Sequence, residues 1–135
     1  MTSVLAGLSF AGMVALGAPD RDSQDAALAE SKTIMATYRV VAGKEVEFEQ
    51  VLARKWEVYT KEKLVYDHPH VVVRGKEADG KAYFVDIFTW VRRGTPDHAP
   101  ASVIAVWQIM DSLVEARNGH PNREITEVQL VAPKN

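Results

Sequence analysis

A chain of 135 residues, 47 % hydrophobic and 25 % charged, is long enough for one domain with its own core and has an ordinary globular balance. Its net charge of -2, with basic residues scattered among acidic ones as in "RKWEVYTKEK", argues against nucleic acid or an anionic membrane surface as partner. The absence of cysteine excludes disulfides, thiolate metal sites and a lipidated N-terminal cysteine.

The first segment, "SVLAGLSFAGMVALGA" (Ser3–Ala18), is apolar, uncharged and closed by small residues. It is shorter than a comfortable membrane span and reads as a signal peptide covering residues 1–18. The polar "PDRDSQDAALAESK" that follows lacks an apolar period, so residues 19–32 are expected to be a flexible linker. A folded domain is expected over residues 33–132. Export to the periplasm or the exterior follows from this reading, with no membrane association after processing; a cytoplasmic protein with a loose extension is the alternative.

"TIMATYRVV" (Thr33–Val41) is β-rich and ends at a turn on Gly43. Glu45 to Leu64 has helical period, with Phe48, Leu52, Trp56 and Tyr59 on one stripe and Val51 at its edge. Pro69 stops that helix from running on, and Val71 to Val73 read as strand. Asp79-Gly80 is a hairpin signal leading into the strand "AYFVDIFTWV". After the loop "RRGTPDHAP", the stretch from Ala101 predicts a helix with Val103, Val106, Trp107, Met110, Leu113 and Val114 on its apolar stripe and Gly119 as its C-terminal cap. "EITEVQLVA" reads as a last strand. The order β-α-β-β-α-β predicts an α+β, ferredoxin-like unit, a four-stranded antiparallel sheet with both helices on one face.

Alternation along the third strand places Phe84, Asp86, Phe88 and Trp90 on one face and Val85, Ile87 and Thr89 on the other. The aromatic face is too apolar to stay wet, so it is expected to be the face left open by the helices and buried against a second copy. Asp86 would then point into a cavity between two sheets, as a general base or a ligand for a substrate hydroxyl. The competing reading pairs it structurally with Arg39, Arg74 or a backbone amide.

"YRVVAGKEVEFEQVL", "YFVDIFTW" and "VWQIMDSLVEAR" resemble the dimeric α+β barrel superfamily, and within it the antibiotic-biosynthesis-monooxygenase family, over about Thr33 to Val131. The resemblance implies a homodimer that holds a small aromatic molecule in each barrel. It also implies oxygenation without a metal or flavin, by reaction of the substrate's own carbanion with oxygen. Haem-degrading relatives carry an Asn on the first strand, a Trp at the end of the third and a haem-ligating His on the second helix. Here Tyr38 stands in the Asn position, Trp90 matches the Trp, and His98 lies near the start of the second helix. The expected site is therefore Asp86, Tyr38 and His98 as catalytic groups, with Trp90, Phe84 and Phe88 binding substrate. No cofactor is expected, with haem as the alternative, and a non-catalytic ligand-binding or interaction module is a third reading.

Each of these residues also has a structural reading. Trp90 suits a core or an interface, Tyr38 an amphipathic core position, and His98 in "DHAP" a helix-capping turn. His68 and His70 flank Pro69 with no third ligand at recognisable spacing, so no metal site is expected. His120 follows the expected cap and is assigned no role. Phosphate-binding, nucleophile-elbow and zinc-protease motifs are absent from the sequence.

Overall fold

A computed structural model describes residues 30–131. The predicted signal peptide, and all of the linker except Glu30 to Lys32, lie outside the described residues. The elements are β1 (Lys32–Arg39), α1 (Glu45–Lys61), β2 (Val65–Lys76), β3 (Ala82–Trp90), a 3-10 turn (Thr95–His98), α2 (Ala101–Asp111) and β4 (Arg123–Glu127). The four strands form one antiparallel sheet in the order β2-β3-β1-β4. This is the α+β, ferredoxin-like arrangement expected from the sequence.

Side-chain alternation and strand register together define the two faces of the sheet. Ile34 pairs with Phe88, Ala36 with Asp86 and Tyr38 with Phe84, so these share a face with Trp90. That face lies under the helices: Phe84, Asp86, Phe88 and Trp90 are all buried, together with Phe48, Leu52 and Tyr59 from α1 and Val103, Val106 and Met110 from α2. This corrects the expectation that the aromatic face is the open one. The open face instead carries Met35, Val85 and Ile87 at its centre, with Val71 and Val73 on β2 about half exposed. Both faces of β3 are apolar enough to be buried. The helices cover the aromatic one because its large rings fill the layer beneath them and its one charge finds a partner on α1.

That partner is the residue the helical stripe omitted. The buried positions of α1 are Phe48, Leu52, Lys55 and Tyr59, while Trp56 is only partly buried. The helix closes on Lys63, which adopts φ 57°. Its N–H bonds to the Thr60 carbonyl, and the Leu64 N–H to the Tyr59 carbonyl, each at 3.0 Å. This left-handed closure launches β2 at Val65. β2 is longer than the predicted Val71–Val73 core and is irregular between Val65 and His70, where Pro69 falls. Asp79-Gly80 makes the expected hairpin turn, with the Gly80 N–H on the Glu77 carbonyl at 2.9 Å.

The second helix ends at Asp111, well before the predicted cap at Gly119. Leu113 and Val114 are buried as their stripe predicted, but Leu113 lies in the turn that closes the helix and Val114 bridges to Val40 at the end of β1, with the Val41 N–H on the Leu113 carbonyl at 2.9 Å. Asn118 and Gly119 both have positive φ, and Arg117 and His120 exchange backbone hydrogen bonds across them. "NG" is thus the centre of a tight hairpin turn rather than a helix cap. Arg117 fixes this loop by donating to the Val40 and Ala82 carbonyls, each at 2.6 Å, and by pairing with Glu77 at 2.8 Å. The last strand is correspondingly short, and the Val128 N–H makes one further bond to the Thr33 carbonyl.

Candidate functional site

The helix-covered face of the sheet is not filled at the α2 end. A cavity of about 250 Å³ opens there, bounded by the sheet (Ile34, Tyr38, Phe88, Trp90), α1 (Tyr59) and α2 (Trp107, Met110), with Lys32, Pro96, Arg123 and Ile125 completing its wall. That is just below the usual range for ligand sites, roughly 300–1,000 Å³, and suits a compact molecule.

Aromatic rings hold its walls. Tyr59 and Trp90 lie 4.8 Å apart between centroids, Phe88 and Trp90 meet edge to face at 5.0 Å, and Tyr59 and Phe88 are 5.5 Å apart. Offset and edge-on pairs of this kind contribute about 0.5–1.5 kcal/mol each beyond their buried area. The Trp107 indole N–H donates to Tyr59 Oη at 2.6 Å. An indole nitrogen only donates, so the Tyr59 oxygen is the acceptor and its own proton remains available to a ligand. Burial pushes the Tyr59 hydroxyl up to about 12, with Lys55 opposing that rise. Burial, and secondarily Asp86, pushes Tyr38 higher still. Both phenols therefore remain protonated donors at neutral pH.

Asp86 lies deeper. Lys55 Nζ donates to Asp86 Oδ2, and both side chains are essentially inaccessible to solvent. Ala36, opposite Asp86 on β1, keeps the bulk above the sheet low at this point. The ammonium lies 4.7 Å from the Phe88 ring centroid, 5.1 Å from that of Tyr59 and 5.8 Å from that of Tyr38, three rings that also line the cavity. Cation–π attraction in this desolvated setting adds to the ion pair. Asp86 Oδ1 is buried with no hydrogen bond among the described residues. His70 Nε2 approaches it at 3.5 Å, and the imidazole stacks on Trp56 at 3.7 Å. Burial, aided by Lys55 and opposed by Asp86, holds His70 below its ordinary value of 6.5.

The predicted site residues thus separate into three groups. Tyr38, Phe88 and Trp90 converge on the cavity. Asp86 and Phe84 do not line it. Asp86 is paired with Lys55, rather than unpaired in a cavity or paired with Arg39 or Arg74, and Phe84 borders a shallower groove between α1 and β2 with His70 and Arg74. His98 is exposed on the 3-10 turn, outside the cavity wall. The imidazole that the haem resemblance assigns to this region is therefore not placed to ligate a group inside. Sequence reasoning missed Lys55, Tyr59, Trp107 and Arg123 as site or supporting residues. For Lys55 a signal was present, since it occupies the i+7 position of the stripe begun by Phe48, and β3 supplies a carboxylate that needs a cation. Among the described residues no cluster of three metal-ligating side chains occurs.

The described residues thus form a ferredoxin-like α+β unit with an aromatic cavity between the sheet and the helices. Its fold is that of proteins of the antibiotic-biosynthesis-monooxygenase type. A variant of SnoaB, a cofactor-independent oxygenase from Streptomyces nogalater, superposes with a TM-score of 0.56 at 17 % identity, over 78 % of this chain and 97 % of that one. A candidate antibiotic biosynthesis monooxygenase from Bacteroides thetaiotaomicron gives 0.56 at 11 % identity, over 77 % and 92 %. A conserved protein from Methanosarcina mazei gives 0.54 at 14 % identity, over 78 % and 97 %. No family model and no curated protein sequence matches the chain.

Proposed function

We propose that this protein binds a small aromatic compound in the cavity between the sheet and α2 and oxygenates it without a cofactor. The observation that carries the reading is the cavity wall itself: flat rings from Phe88, Trp90, Tyr59 and Trp107 beside phenol donors, in a fold shared with a cofactor-independent oxygenase. The reaction is balanced by the substrate alone. An activated methylene between aromatic rings loses a proton to the solvent, and its carbanion reduces dioxygen to a bound peroxide. Loss of water then leaves a carbonyl, so that one methylene and one dioxygen give one ketone and one water. Tyr38 and Tyr59 would donate to the substrate oxygen that carries the delocalised charge, a stabilisation that grows as the charge develops.

The test is oxygen uptake with anthrone in alkaline buffer, where its enolate forms in water, with a chelator present and Trp fluorescence to follow binding. Saturable uptake that forms the ketone product, and that falls at least tenfold in Tyr38→Phe, is expected. Quenching without uptake would leave a ligand-binding module. A Soret band on titration with haemin would restore the haem alternative. The absence of both quenching and uptake would overturn the assignment of the cavity.

A further inference from the structure

The charge on the cavity wall has one sign. Among the described residues its lining includes two cations, Lys32 and Arg123, and no carboxylate or histidine. Arg123 stands opposite Tyr38 across the β1–β4 pair, so its guanidinium belongs to the rim beside the phenol. One of its nitrogens is held by Asp111 at 3.0 Å, on the outer side at the end of α2. The Lys55 ammonium behind the rings is neutralised by Asp86, so the charge that faces a ligand is that of Lys32 and Arg123. The polar groups that face a ligand are also donors. Tyr59 accepts from Trp107 and so turns its own proton outward, and both phenols are held in the protonated form. Cations and donors around a low-dielectric aromatic slot favour an anion over its neutral counterpart, because electrostatic interactions there are less screened than in water.

No group on the wall is suited to take a proton from a carbon acid at neutral pH. A cationic side chain offers no lone pair, and a phenol is a useful base only once ionised, which burial opposes for both Tyr38 and Tyr59. We infer that the cavity selects aromatic molecules that are already anions in water, phenolates or the enolates of acidic ring ketones, and that the protein stabilises this ionised form rather than generating it. This rests on the reading above that the cavity binds an aromatic ligand. It restricts the substrate class to compounds acidic enough to ionise unaided. For such a substrate the reaction balances without a protein base: one carbanion and one dioxygen give one ketone and one hydroxide.

A pair of probes of nearly equal size tests the charge preference directly: 4-nitrophenol, whose phenolate absorbs in the visible, and its neutral methyl ether, 4-nitroanisole. Binding of each is read from quenching of Trp90 and Trp107, and the ionisation of bound nitrophenol from its own absorbance. The expected result is at least tenfold tighter binding of the phenolate than of the ether, with the titration of bound nitrophenol moved down by about one pH unit, its equivalent by linkage. Lys32→Gln with Arg123→Gln should remove the preference while leaving the affinity for the ether within about twofold. Equal binding of the two probes, or preference for the ether, overturns the inference and leaves the aromatic cavity intact. If neither probe quenches Trp fluorescence up to its solubility limit, the cavity reading fails and the inference falls with it.

Discussion

Replacing Asp86 by Asn tests how the core is held together. The substitution keeps the shape of the side chain and removes its charge, leaving the Lys55 ammonium alone in a fully buried position. Breaking a buried pair in this way costs about 3–5 kcal/mol. An independent bound gives the same figure: releasing a proton from a lysine of ordinary pKa, about 10.4, at pH 7 costs roughly 4.6 kcal/mol, which caps what an uncompensated ammonium can impose. For a domain of this size each kcal/mol lowers Tm by about 4–8 °C, so a fall of at least ~12 °C is expected. The double variant Lys55→Met, Asp86→Leu removes both charges and should recover most of this loss, or exceed wild type by about 1–4 kcal/mol. Urea unfolding of wild type, Lys55→Met, Asp86→Leu and the double variant closes the cycle, with a coupling energy of about 3 kcal/mol or more expected. If Asp86→Asn changes stability by less than about 0.5 kcal/mol, or if the cycle is additive, the pair does not support the core and Asp86 returns to the list of candidate catalytic groups.

Three further outcomes can be checked. Because His70 is held below 6.5 in the fold, the unfolded chain binds more protons there; this contribution to stability is complete above about pH 6.5 and is lost as pH falls below it. His70→Phe keeps a ring on Trp56 and should flatten the dependence of Tm between about pH 7.5 and about pH 5.5, whereas an unchanged slope would count against it. Lys63 holds a left-handed conformation at the end of α1, so Lys63→Gly should stabilise by about 0.5–1 kcal/mol in urea unfolding, and a loss of stability would contradict the assigned closure. The open sheet face, centred on Ile87 with Met35 and Val71 opposite it, should pair two copies, giving a dimer by light scattering that Ile87→Lys converts to a monomer with unchanged circular dichroism. A wild-type monomer at micromolar concentration would remove the shared barrel.

The order of elements and the apolar stripes were legible from the sequence because they depend on local periodicity. Two hydrophobic periods, a hairpin turn at Asp79-Gly80 and short connections admit few topologies. The aromatic cluster of β3 was legible for the same reason, whereas the convergence of Tyr38 with Phe88 and Trp90 on one face is set by the β1–β3 register. What only the tertiary structure decided was which face of that sheet the helices cover. Alternation along a strand gives two sets of residues but not the side each set occupies, and on β3 both sets are apolar. The choice is made by what α1 brings to meet it: Lys55, a residue that a search for apolar positions passes over, lies over Asp86 and makes the aromatic face the interior. The end of α2 was decided in the same way. Its apolar pattern continues through Leu113 and Val114, but Arg117 reaches the carbonyls of Val40 and Ala82, and these bonds outweigh two more helical turns at the surface.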